Sequence, residues 1–153
     1  MLEGLGNGLC QTDYLARPAA VIFVSCCNRC IMPKQRPLIL LLEDDAASAE
    51  ALQLMLRDWG ADVIHGLNAD EVSAAAGERA SQADIIIADF HLGAGRDGVT
   101  MASQLRQSAL GARVLVLSGS TNDDAQCAAA RASYTFMRKP ALPRDIIAWL
   151  DAG

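Results

Sequence analysis

No apolar run near the start of this 153-residue chain is long enough to cross a bilayer. The longest such stretch, Ala19 to Cys27, falls well short of the roughly 20 residues that a helical span needs. Arg17-Pro18 before it and Asn28-Arg29 after it also suit a secretory leader poorly. The chain is therefore expected to be cytoplasmic, with no membrane contact. Basic charge is scarce too. The formal net charge is −5, and residues 37–153 carry nine basic against sixteen acidic side chains. An acidic domain repels phosphate backbones, which disfavours direct nucleic-acid binding. Of five cysteines, four fall at positions 10, 26, 27 and 30, and the fifth is Cys127. Cys27-Asn28-Arg29-Cys30 is a C-x-x-C, but it lacks the second pair or nearby histidine of a structural zinc site. It also lacks the strand-then-helix setting of a redox motif. These thiols read as reduced and incidental, and Cys127 as a small apolar filler on its helix. Internal repeats and low-complexity tracts are missing as well.

What is present is the composition of a folded globular protein, 52% apolar and 20% charged, at a length that fits one domain with a sizeable core. Pro33 and Pro37 flank a short basic linker, and regular patterning begins at Leu38. Residues 1–37, including the alternating Gly4, Gly6 and Gly8, are expected to be a poorly ordered extension or linker, and residues 38–153 the folded domain. From Leu38 onward, short apolar runs alternate with helical patterns. Leu38–Leu42, Ala61–Ile64, Ile85–Ala88, Val114–Leu117 and Tyr134–Met137 read as strands. Helices are expected over Ala46–Trp59 with Gly60 as its stop, from an Asn68 cap through Ala80, over Gly98–Ser108, from about Asn122 to Ala132, and from Pro143 onward. Most of the apolar runs suit strands buried on both faces, so the pattern predicts an α/β fold. Its core would be a doubly wound five-stranded parallel sheet with helices on both faces.

Four of the runs end in polar residues fit for phosphoryl chemistry: Glu43-Asp44-Asp45, Asp89, Ser118 and Lys139-Pro140. In a parallel sheet these C-terminal ends share one edge, where open α/β sheets bind ligands. Clustered carboxylates repel one another and take up protons unless a cation intervenes. Oxygen-only ligands of high charge favour a hard divalent ion, Mg²⁺ or Mn²⁺. Lys139 can pair with a carboxylate and then with a phosphoryl group, Ser118 can donate a hydrogen bond to that group, and an aspartate can accept phosphate as an acyl phosphate. Asp45 is expected to cap the first helix, Asp97 with Gly98 to form a turn or cap, Asp84 to be a solvated strand-start residue, and His65 to be a lone exposed loop histidine. Trp59 and Trp149 suit packing on helix faces.

Taken in order, Leu41-Leu42-Glu43-Asp44-Asp45, Ala88-Asp89-Phe90-His91-Leu92 with Asp97-Gly98, Leu117-Ser118-Gly119 and Phe136-Met137-Arg138-Lys139-Pro140 resemble the receiver domain of two-component response regulators. The resemblance runs from residue 38 to about 151 and implies the strand order 2-1-3-4-5. It further implies Asp89 as phosphoacceptor, with metal coordination by Asp44, Asp89 and the backbone carbonyl of His91, and Glu43 acting through water. Ser118 and Phe136 would be the switch pair, Lys139 the charge partner, and Lys139-Pro140 a cis bond. The implied activity is self-catalysed, Mg²⁺-dependent aspartyl phosphorylation and dephosphorylation, not conventional turnover. The implied partners are a histidine kinase or histidine phosphotransfer domain, and a downstream protein that meets the fourth helix, fifth strand and fifth helix. With no output domain after Gly153, the module is expected to act through protein contacts or to belong to a hybrid kinase, whose receivers have a similar long loop at Leu92–Gly98. Two other readings are an aspartate-nucleophile phosphatase of the haloacid dehalogenase kind, and a pseudo-receiver that binds without phosphorylation. The first wants a second aspartate two residues after its nucleophile, where this chain has His91. The second leaves the full set of polar residues unexplained.

Overall fold

The computed structural model describes residues 36–93, 95–121 and 123–153. The C-x-x-C, the glycines at 4, 6 and 8, and nearly all of the expected extension lie outside the described residues. Elements follow in the order β1 (Leu38–Leu42), α1 (Ala46–Trp59), β2 (Asp62–Gly66), α2 (Ala69–Ala76), a 3-10 segment (Gly77–Gln82) and β3 (Ile85–Asp89). Then come β4 (His91–Leu92), β5 (Arg96–Asp97), α3 (Gly98–Ser108), β6 (Arg113–Ser118), α4 (Asp124–Arg131), β7 (Thr135–Arg138) and α5 (Pro143–Asp151). The main sheet has the order β2-β1-β3-β6-β7, with every pairing parallel. Among its five strands this is the expected order 2-1-3-4-5. The pair β4-β5 is a separate two-residue antiparallel ribbon, in a stretch where the sequence pattern suggests only a loop.

Strand alternation sorts the core into two layers. Leu38, Leu40 and Leu42 face a cluster formed with Ala69 and Val72 of α2, Ala102 and Leu105 of α3, and Ala129 of α4. Ile39 and Leu41 face the other side, where Leu56 of α1 and Ile146 and Leu150 of α5 close the layer. β1 and β3 are buried along their whole lengths, which explains their unbroken apolar runs. Among the described residues, no helix is long and apolar enough to cross a membrane.

The helix caps follow local chemistry. Asp45 accepts from the Ser48 N–H at 2.8 Å, Asn68 from the Glu71 N–H at 2.9 Å and Asp97 from the Val99 N–H at 2.9 Å. Gly60 ends α1 at φ 107°. Four expectations need correction. α2 stops at Ala76 rather than running to Ala80, because Gly77 adopts φ 54° and a 3-10 segment follows. Asp84 is exposed but bound: its carboxylate takes the Leu38 N–H at 2.8 Å, while its own N–H donates to the Leu38 carbonyl at 3.0 Å. It thereby clamps the start of β1. Cys127 is exposed and not a filler, since the buried positions of α4 are Ala125 and Ala129. His65 lies on β2 and is half-buried, not in a loop. Both tryptophans do join the packing, and each indole N–H also finds a partner: Asp151 for Trp59 at 2.9 Å, Thr135 for Trp149 at 3.1 Å.

α4 ends in a Schellman motif, in which the Ser133 N–H donates to the Ala130 carbonyl and the Tyr134 N–H to the Ala129 carbonyl. Ser133 holds the left-handed position at φ 58°, where glycine is the usual occupant. An L-residue with a side chain costs about 1 kcal/mol or more there. Ser133→Gly is expected to raise stability by about 0.5–1 kcal/mol, read as a higher urea midpoint with an unchanged m-value.

Candidate functional site

Sheet register brings the acids together. Leu42 pairs with Ala88, so the chain emerges from β1 as Glu43-Asp44 beside Asp89, the last residue of β3. One carboxylate oxygen from each of Glu43, Asp44 and Asp89 can be chosen so that all lie within 4.8 Å of one another. Glu43 is 1% exposed and Asp89 9%, whereas Asp44 is exposed and its Oδ2 accepts the Gly93 N–H at 2.8 Å.

Lys139 follows β7, the edge strand, and its side chain reaches back across the sheet edge. Its Nζ donates to Glu43 Oε2 at 2.7 Å and stands 3.3 Å from Asp89 Oδ1. One ammonium thus sits between two buried carboxylates. Burial pushes the Glu43 carboxyl above its ordinary range; the hydrogen bond from Lys139 offsets only part of that. For Lys139, burial acts to lower the ammonium pKa, but the hydrogen bond to Glu43 and the charges of Asp89 and Glu43 outweigh it and hold the group above its ordinary range. The Lys139-Pro140 bond is cis.

Ser118 ends β6 and is fully buried; its Oγ accepts the Ser120 N–H at 3.1 Å, and its carbonyl accepts the Lys139 N–H at 2.8 Å. Phe136 pairs with Val116 and packs, half-buried, on the α2–α4 side of the sheet. His91 is exposed on β4, and its ring stands edge-on to Phe90 at 4.8 Å between centroids. The ring takes no part in the three-acid cluster.

Three contributors escape sequence patterning. The His65 Nε2 lies 2.8 Å from the Glu43 carbonyl oxygen. Gly93 supplies a backbone N–H to Asp44. Gly98 lies so close to the Asp89 backbone that a Cβ there would overlap the Asp89 carbonyl oxygen. Only the last left a mark in the sequence, as a glycine directly after a capping aspartate.

The donor set fits a hard divalent cation: three carboxylates, two of them buried and close enough to repel, with a single ammonium between those two. Such a cation would be held by Asp44 and Asp89, with Glu43 behind them.

Residues 39–151 match the family model described as the response regulator receiver domain. Among solved structures, a response regulator from Burkholderia pseudomallei, described with a phosphorylated aspartic acid, calcium ion and citrate, is 28% identical. The match covers 73% of this chain and 65% of that one, with a TM-score of 0.64. A receiver domain protein from Methanospirillum hungatei, 18% identical over 76% of this chain and 92% of its own, has a TM-score of 0.65. The signal receiver domain of a modulated diguanylate cyclase from Desulfovibrio desulfuricans, 23% identical over 76% and 92%, also scores 0.65. At those lower identities the likeness shows the fold alone. No curated protein matches the chain.

Because the folded-state pKa of Glu43 is raised above its ordinary 4.5, the native state binds more protons than the unfolded chain between 4.5 and that raised value. Unfolding free energy therefore falls as pH rises through that window. In metal-free protein, urea titrations from pH 4 to 7 are expected to show this decline, and Glu43→Gln to flatten it.

Proposed function

Because the chain belongs to the response regulator receiver domain family, a module of two-component signalling whose general partner is a histidine kinase, we propose that Asp89 is its phosphoacceptor. The observation that carries this reading is the position of the Asp89 carboxylate: at a sheet edge, 9% exposed, beside two further acids and 3.3 Å from the Lys139 ammonium. The relative with a phosphorylated aspartic acid and a bound calcium ion supports it.

The reaction breaks the P–N bond of a phosphohistidine in a kinase or phosphotransfer domain and forms an O–P bond on Asp89. The imidazole leaves with the electron pair and takes a proton from solvent. The acid cluster would hold a Mg²⁺ or Mn²⁺, which would supply positive charge for phosphoryl transfer. Asp44 and Asp89 offer carboxylates for it, His91 its backbone carbonyl, and Glu43 an outer contact through water. Lys139 holds Asp89 before transfer and neutralises a phosphoryl oxygen afterwards. Ser118 gives up its Ser120 contact to donate its hydroxyl proton toward the phosphoryl group. Phe136, on the same sheet face, turns into the space released. The outcome is a population shift of the face built from α4, β7 and α5, where a downstream protein docks. Residues 38–153 act as the signalling unit, with residues 1–37 as its extension. Hydrolysis of the aspartyl phosphate by water resets the module, so its enzymology is confined to its own Asp89.

Acetyl phosphate with Mg²⁺ is expected to add one phosphoryl mass to the intact protein, and Asp89→Asn to abolish the adduct. Lys139→Ala is expected to cut the labelling rate at least tenfold. Absence of an adduct on the wild-type protein, with either acetyl phosphate or a panel of phosphorylated kinases, would sink the reading. Steady turnover of a small phosphate ester would replace it with a phosphatase.

A further inference from the structure

The carbonyl of Glu43 takes its hydrogen bond from a side chain where a strand would ordinarily supply a backbone N–H. Along the β1-β2 edge, the Asp62 N–H donates to the Pro37 carbonyl at 2.9 Å. Parallel ladders repeat at every second residue, so continuing this one would assign the Glu43 carbonyl to the Asn68 N–H. The chain has left the sheet by then. β2 ends at Gly66, the Leu67 N–H donates to a Glu71 carboxylate oxygen at 2.9 Å, and Asn68 serves as the N-cap of α2. His65 supplies the donor instead, with Nε2 at 2.8 Å from the Glu43 oxygen. A carbonyl only accepts, so Nε2 carries the proton.

From this geometry we propose that His65 is a positioning residue for the acidic cluster. The Glu43 carbonyl and the Asp44 N–H belong to one peptide plane, and rotating that plane redirects both flanking side chains. With its carbonyl tethered to β2, the plane is fixed at the point where the chain turns out of the sheet. The Glu43 carboxylate then meets Lys139 at 2.7 Å, and Asp44 meets the Gly93 N–H at 2.8 Å. The consequence for metal binding rests on the function proposed above. The effect on Asp44 does not, because the Gly93 N–H contact is a property of the chain itself.

The test compares wild type with His65→Ala, His65→Leu and His65→Gln. Glutamine places an amide N–H near the imidazole Nε2 position, whereas leucine fills the space without a donor. Two readouts are needed: Mg²⁺ affinity by calorimetric titration, and the Gly93 amide proton shift in metal-free protein. The Ala and Leu variants are expected to weaken Mg²⁺ binding by about tenfold, the low end for outer hydrogen-bond partners of metal ligands. They are also expected to move the Gly93 amide toward its solvent-exposed shift, and Gln to restore both readouts. Should Ala fail to fold, Leu answers in its place. Wild-type Mg²⁺ affinity and Gly93 shift in the donorless variants would overturn the proposal, whatever their urea stability, and so would a Gln variant no better than Leu. If the wild-type protein itself binds no Mg²⁺, the metal-binding reading fails, and the Gly93 shift alone then decides the role of His65.

Discussion

One ammonium group holds the site together. Glu43 and Asp89 stand at the C-terminal ends of adjacent strands of a sheet whose core is apolar, and their charges repel across a short gap. The Lys139 Nζ lies 2.7 Å from the first and 3.3 Å from the second. Buried like charges survive in such a place only with a counter-cation or by taking up a proton. The raised Glu43 pKa shows that even with Lys139 in position the burial cost is not fully met. A site in that condition is disposed to accept further positive charge.

Everything else serves to deliver these groups to one edge. Parallel pairing puts all the strand C-termini on the same side, and burial of β1 and β3 on both faces demands apolar residues up to the last position. The first polar residue after each run is therefore the first that can do chemistry. Gly98 lets α3 start against the Asp89 backbone, where any side chain would collide with the Asp89 carbonyl. The Ser118 carbonyl accepts the Lys139 N–H at 2.8 Å, which ties the end of β6 to the residue after β7 through the backbones of the two site residues themselves.

Sequence pattern revealed the sheet, its order by family resemblance, the capping aspartates and the three acids, because each of these is written in local chemistry: an apolar run, a cap residue, a carboxylate at a strand end. What it missed depends on register between distant segments. His65 looks like a loop residue because the strand pattern in the sequence stops at Ile64, yet pairing with β1 carries β2 on to Gly66. Asp84 looks solvated because nothing adjacent in sequence binds it; its partner is 46 residues away. α2 looks longer than it is because alanines continue past Gly77, and a single positive φ there outweighs their helix propensity. Cys127 misleads in the opposite sense: Ala125 and Ala129, four residues apart, take the buried stripe and leave it outside.

The site also explains why the sheet edge can be both rigid and responsive. Glu43 is fixed by Lys139, just after edge strand β7, through its carboxylate and by His65 of edge strand β2 through its carbonyl. Ser118 is held differently. Its hydroxyl oxygen accepts a 3.1 Å hydrogen bond from the Ser120 N–H within its own loop, with Gly119 between the two residues. Losing that contact costs about 1 kcal/mol, the net worth of one neutral hydrogen bond. Displacing Glu43 would strand a charge in a buried site at several times that cost. If Asp89 is the phosphoacceptor proposed above, charge arriving there would meet a stiff wall on the β1 side and a compliant one at β6. On that reading the response would run toward the side of Phe136 and α4, set by that difference in holding energy.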